Sequence, residues 1–73
     1  MDQYLYNMLK SGCEADIAKA KLTLKILSEN PAGIGDHSTD DFYKNAEEAL
    51  SKLAEAEDKL ECLNRNYTVV SAV

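Results

Sequence analysis

Tyr6, Asn7, Lys21 and Thr23 are the side chains in this sequence best suited to holding a small polar molecule. A tyrosine ring offers a face on which a nucleobase can stack. A lysine ammonium is a compact charge suited to a phosphate. Asn and Thr can donate to or accept from base edges and phosphate oxygens. On residue type alone a core Tyr and a solvated Lys are the commoner reading of this set, and it acquires meaning only from the elements that carry it. No catalytic constellation accompanies it. The single histidine, His37, has no Ser and Asp at triad-like positions. Glu47–Glu48 and Glu57–Asp58 fall on a solvated helix face. Gly33-Ile34-Gly35 is a fragment of a phosphate loop without the following Gly-Lys-Ser/Thr, and reads better as a tight interhelical turn. Cys13 and Cys62 form no CxxC and stand apart from His37, so neither a metal site nor a secreted disulfide scaffold is expected.

The positioning elements follow from composition and spacing. The 73 residues are 45% hydrophobic and 7% aromatic, with Ala, Leu, Glu and Lys dominant. That mixture favours helix, and the length allows one small domain. Asp2 can cap a first helix over residues 3–10, with Ser11-Gly12 as its stop. A second helix is predicted over 13–29, ended by Asn30-Pro31. A loop follows over 30–38, then a third helix over 39–66 capped by Ser38 or Thr39, and an extended tail over 67–73. The expected fold is all-α: a short N-terminal helix plus a long antiparallel two-helix hairpin. The third helix, being longer than the second, would overhang it by about 15 Å, and either the first helix, folding back across Gly12, or a neighbouring subunit would cover the excess.

The wheels carry the argument for assembly. In the third helix Phe42, Ala46, Ala49, Leu53, Ala56, Leu60, Leu63 and Tyr67 recur at 4-3 spacing, a sustained heptad seam. In the second, Cys13, Ile17, Ala20, Leu24 and Leu27 form one apolar stripe, and Ala15, Ala18, Leu22 and Ile26 a second on the opposite side. A helix with two apolar faces buries both, and one hairpin partner covers only one. Self-association into a compact homo-oligomer is therefore expected.

Charge narrows the ligand class. The net charge of −5 disfavours nucleic acid as a partner. Residues 1–37 hold four cations and five acids, and residues 38–73 four and eight, so the acidity is concentrated in the second half. From Ile17 to Ser28 there is no acid, while Lys19, Lys21 and Lys25 all fall there. A bound anion would meet that stretch. No apolar run approaches the ~20 residues that cross a bilayer, and Met1-Asp2-Gln3 lacks the basic start of a signal peptide. A cytoplasmic protein with no membrane or DNA partner is expected.

Over residues 4–66 the chain resembles the phage anti-CBASS cyclic-nucleotide sponges, whose helical hairpin domain is shared with anti-Thoeris sponges. The similarity lies in the short first helix, the hairpin, the turn Asn30-Pro31-Ala32-Gly33-Ile34-Gly35-Asp36-His37, and the stretch Leu53-Ala54-Glu55-Ala56-Glu57-Asp58-Lys59-Leu60-Glu61. The resemblance implies a homohexamer in the host bacterial cytoplasm, with no cofactor. Such a hexamer sequesters cyclic dinucleotides, such as cyclic GMP-AMP, and cyclic trinucleotides without cleaving them, so that CBASS effectors stay inactive. It further implies that Tyr6 stacks on a base, that Lys21 holds phosphates with Asn7 as an accompanying contact, and that Thr23 and Arg65 serve a second site for cyclic trinucleotides. Tyr4 with Lys19 has the same spacing as Tyr6 with Lys21, and that register stays open. Lys21 and Thr23 lie about 200° apart on a helix, so they serve two pockets or a pocket shared between subunits; Lys19, beside Thr23, can assist the second. The competing reading is a structural or adaptor hairpin that binds a protein through the second stripe. A small enzyme is the weakest reading.

Overall fold

The computed structural model describes residues 1–29 and 39–67. Two helices account for them, α1 (Gln3–Glu29) and α2 (Thr39–Asn66), packed side by side as a hairpin. The hydrogen bond between Tyr6, near the start of α1, and Asn64, near the end of α2, fixes the pair as antiparallel. The described termini agree with the expected chemistry. Asp2 caps α1: its Oδ2 accepts from the Leu5 backbone N–H at 3.1 Å, and its carbonyl accepts the first helical bond, from Tyr6, at 2.9 Å. Asp40 and Asp41 lie in the first turn of α2 and Arg65 in the last, each with the sign that the helix dipole favours. Tyr67 N–H closes the last turn on Leu63 O at 2.9 Å. The turn 30–38, the capping role of Ser38 or Thr39, and the tail beyond Tyr67 lie outside the described residues and side chains.

One expectation is corrected. There is no separate first helix over 3–10. Ser11 and Gly12 are interior residues of a continuous 27-residue α1, and α2 has 28 residues. The two helices therefore match in length and no overhang remains. A glycine in a helix interior costs only about 1 kcal/mol relative to Ala. Here the packing outweighs that cost, because the core pattern runs through Gly12 without a phase change. Tyr6, Lys10, Cys13, Ile17, Ala20, Leu24 and Leu27 are the buried or half-buried positions of α1, at 4-3 spacing throughout. Breaking the helix at Gly12 would remove Tyr6, only 9% exposed, from its place against α2.

The facing seam on α2 is as read from the sequence. Phe42, Ala46, Leu53 and Leu60 are half-buried, and Ala49, Ala56 and Leu63 are buried. Tyr67, the expected last member, is 48% exposed, beyond the end of the helix. The interior is thin. Among the described residues the buried set is Tyr6, Ala20, Leu27, Ala49, Ala56 and Leu63, half of it alanine. Small residues at these levels let the helix axes approach closely, but they contribute little apolar area.

The opposite face of α1 stays open. Leu22 is 57% exposed and Ile26 39%, and toward the N-terminus Leu5 is 45% and Met8 59% exposed. On α2, Tyr43 and Leu50, seven residues apart, are 58% and 59% exposed. A hairpin of two helices has no second layer to cover these side chains. No described helix is long and apolar enough to cross a membrane.

Candidate functional site

Two shallow grooves run along the edges of the hairpin. The larger, about 700 Å³, is floored by Ala20, Ala49 and Ala56, where the missing side-chain bulk leaves a trough between the helices. Its walls carry Lys19, Lys52 and Lys59 against Asp16, Glu48 and Glu55, with Thr23 and Asn45 toward one end. Two of the three lysines are neutralised along their own helix: Lys52 lies 3.5 Å from Glu48, and Lys59 3.0 Å from Glu55. The hydrogen bond and charge of Glu55 hold the Lys59 ammonium above its ordinary pKa. Thr23 donates its hydroxyl to Lys19 O at 3.0 Å. With three cations against three acids, the trough of one copy is electrically balanced and does not by itself concentrate an anion.

The smaller groove, about 560 Å³, lies at the end where α1 begins and α2 finishes, and is more apolar. Met1, Leu9 and Cys13 face Cys62, Leu63, Arg65 and Tyr67 across it. Arg65 is held by Glu61 at 3.3 Å. Cys13 and Cys62 are free thiols.

The residues singled out from the sequence are not gathered at one place. Tyr6 is in the packed seam, with its hydroxyl donating to Asn64 Oδ1. Its ring lies between the helices, so stacking on a base requires the N-terminal turns to open or a neighbouring copy to reshape them. Asn7 is beside it and exposed. Lys21 is exposed and 15 residues further along the same straight helix, about 22 Å away. Within one copy Tyr6 and Lys21 cannot contact one ligand of dinucleotide size. The continuity of α1 is the cause, since a helix broken at Gly12 would have let them approach.

Thr23 and Arg65 are likewise separated. Thr23 lines the larger groove, and Arg65 lines the smaller together with Met1, which is 22 residues or about 33 Å from Thr23 along α1. Lys19 and Thr23 do share the larger groove, as their places on the wheel require. Tyr4 is 84% exposed and, with Lys19, has the same long separation as the other pair.

Sequence reasoning missed the contribution of α2 to the larger groove. Asn45, Lys52 and Lys59 repeat at seven-residue intervals immediately before the seam residues Ala46, Leu53 and Leu60. That spacing is the signal that places all three on one edge of the hairpin. It also missed Asn64, for which only the closing of the hairpin supplies a reason. His37 lies outside the described residues, and among those described no group of three or more His, Cys, Asp or Glu could hold a metal ion. Comparison of the chain with protein-family models, with curated proteins and with solved structures gave no match.

Proposed function

We propose that this chain is a self-associating, non-enzymatic binding protein that sequesters cyclic di- and trinucleotide second messengers and so blocks anti-phage CBASS signalling in the host bacterial cytoplasm. The observation that carries the reading is the layout of α1. One helix holds an acid-free stretch with Lys19, Lys21 and Lys25, an apolar face left open, and aromatic and amide side chains about 22 Å from the lysines. Such a helix can complete an aromatic-plus-cation pocket only when a second copy supplies the other half. Repetition of the basic stretch by symmetry would also give an acidic chain a locally positive surface. The resemblance over residues 4–66 supports the same ligand class and a hexameric count. On this reading Tyr6, Asn7 and Lys21 contact cyclic dinucleotides across subunits, and Thr23 and Arg65 contact cyclic trinucleotides at a second, also shared, site.

The test is calorimetric titration of the purified chain with cyclic GMP-AMP and with a cyclic triadenylate. The ligand is then recovered after heat denaturation and analysed by mass. Binding with return of the intact ring supports sequestration, and binding that Lys21→Ala abolishes without changing the assembled mass supports the assigned cation. A linearised product, or no heat with either ligand, overturns the reading. The open face of α1 also suits an adaptor that docks a helix of another protein; that reading gains if neither nucleotide binds.

A further inference from the structure

We infer that two copies of this chain pair through the outer faces of their α1 helices, antiparallel and related by a two-fold axis, in a register centred between Gly12 and Ala15. This pairing rests on the self-association proposed above and is independent of the ligand bound.

The continuity of α1 exposes a pattern that a broken helix would hide. Leu5, Met8, Gly12, Ala15, Lys19, Leu22 and Ile26 recur at spacings of 3-4-3-4-3-4 on α1, apart from the core stripe, with the Lys19 side chain reaching to the wall of the larger groove. This is a second heptad seam, and it is fully formed at the backbone level. All of its members are exposed in the single hairpin. The stripe from Leu5 to Ile26 is about 32 Å long and about 10 Å wide. Its projected area is thus about 320 Å² on each copy, within the range of the largest patch on a typical monomer, which is often functional. A pair buries about twice that, and side-chain relief and the flanks must supply the rest of the ~1,000 Å² that a specific interface needs.

The order of sizes and charges along the stripe selects the partner and its direction. Pairing two copies antiparallel about the midpoint sets Leu5 against Leu22, Met8 against Lys19, and Gly12 against Ala15. Large apolar groups then meet at both ends and the smallest residues at the centre, where two helices crossing at a shallow angle come closest. A Cβ added at Gly12 would meet nothing within 4 Å in the single hairpin, so the chain's own fold does not require glycine there. A close helix at that point would.

The flanks agree. Antiparallel pairing brings Tyr4 beside Lys25 of the second copy, a ring-to-ammonium contact. The aliphatic stem of Lys19 lies along Met8. Parallel pairing in register would instead set Lys19 against Lys19 of the second copy, a like-charge encounter inside the seam. Each contact in the antiparallel pair occurs twice, as an isologous interface requires.

The register can be tested with the full chain by exchanging charges across one layer. Leu5→Glu and Leu22→Lys each place an uncompensated charge in the proposed seam. The double variant L5E/L22K instead sets the introduced carboxylate of each copy against the introduced ammonium of the other. Both positions are exposed in the hairpin, so all variants are expected to keep wild-type helicity by circular dichroism. In sedimentation equilibrium at micromolar concentration the wild type is expected to self-associate. Each single variant should weaken association at least about tenfold, and the double variant should recover most of the loss. A wild type that stays a single copy, single variants that associate like the wild type, or a double variant weaker than either single would each overturn the pairing.

Discussion

Replacing Gly12 with alanine tests how α1 is built. Gly12 lies well inside a 27-residue helix, far from either end, and a methyl added there touches nothing within 4 Å. The substitution therefore neither creates nor relieves a contact in the hairpin. What remains is backbone entropy, which favours alanine over glycine in a helix interior by about 0.8–1.0 kcal/mol. In a domain of this size that raises the unfolding midpoint by about 4–8 °C. The measurement is thermal unfolding followed by circular dichroism, comparing Leu22→Lys with Gly12→Ala/Leu22→Lys so that self-association does not enter. A midpoint lowered by the methyl, or a loss of helicity, would mean that Gly12 is a hinge between two helices, and the continuous seam from Tyr6 to Leu27 would have to be given up.

Three further outcomes follow from the packing. Tyr6→Phe keeps the ring in the seam and removes the hydroxyl that donates to Asn64; because Asn64 is exposed and can rehydrate, the loss by chemical denaturation should be about 0.5–1.5 kcal/mol, whereas Tyr6→Ala should cost about 3–5 kcal/mol and largely unfold the chain. Ala56→Leu should destabilise by about 1–3 kcal/mol through overpacking at a position only 3% exposed, while Ala54→Leu, on the solvated side of α2, should change stability by under about 0.5 kcal/mol. The pairing of Lys59 with Glu55 raises the lysine pKa, so its contribution is fully present below the ordinary lysine value and is lost as pH rises through the folded one. Removing it with Lys59→Met should thus leave the pH dependence of unfolding unchanged from neutrality to about pH 9 and alter it only above.

The α2 seam is legible in the sequence because nothing in it competes with the 4-3 pattern: from Phe42 to Leu63 every expected position is buried or half-buried. α1 is harder to read. Ser11-Gly12 has the chemistry of a helix stop, and the residues alone predict one there. The signal against it is phase. The core spacing before Gly12, at Tyr6 and Lys10, continues in register after it, at Cys13 and Ile17, as it would not across a turn. Lys10 conceals that phase, since a lysine at a seam position buries its stem while its charge reaches water.

The candidate site is less legible still. Tyr6 has the residue type of a stacking platform, but its place between the helices depends on a partner 58 residues away, Asn64, which local spacing does not reveal. The separation of Tyr6 from Lys21 likewise follows from the absence of a break at Gly12. The open stripe of Leu22 and Ile26 is plain in the sequence, because helical periodicity alone decides which residues a single partner helix leaves uncovered.

The proposed assembly and its shared sites depend on that stripe being covered in solution by another copy. Hydroxyl-radical footprinting of the native chain across a dilution series measures it directly at Met8, Leu22 and Ile26, three side chains that are open in the single hairpin. Protection that grows with protein concentration at these three, with Leu27 shielded throughout, is the predicted result. Full reactivity of all three at every concentration, in a chain that remains helical, would contradict it.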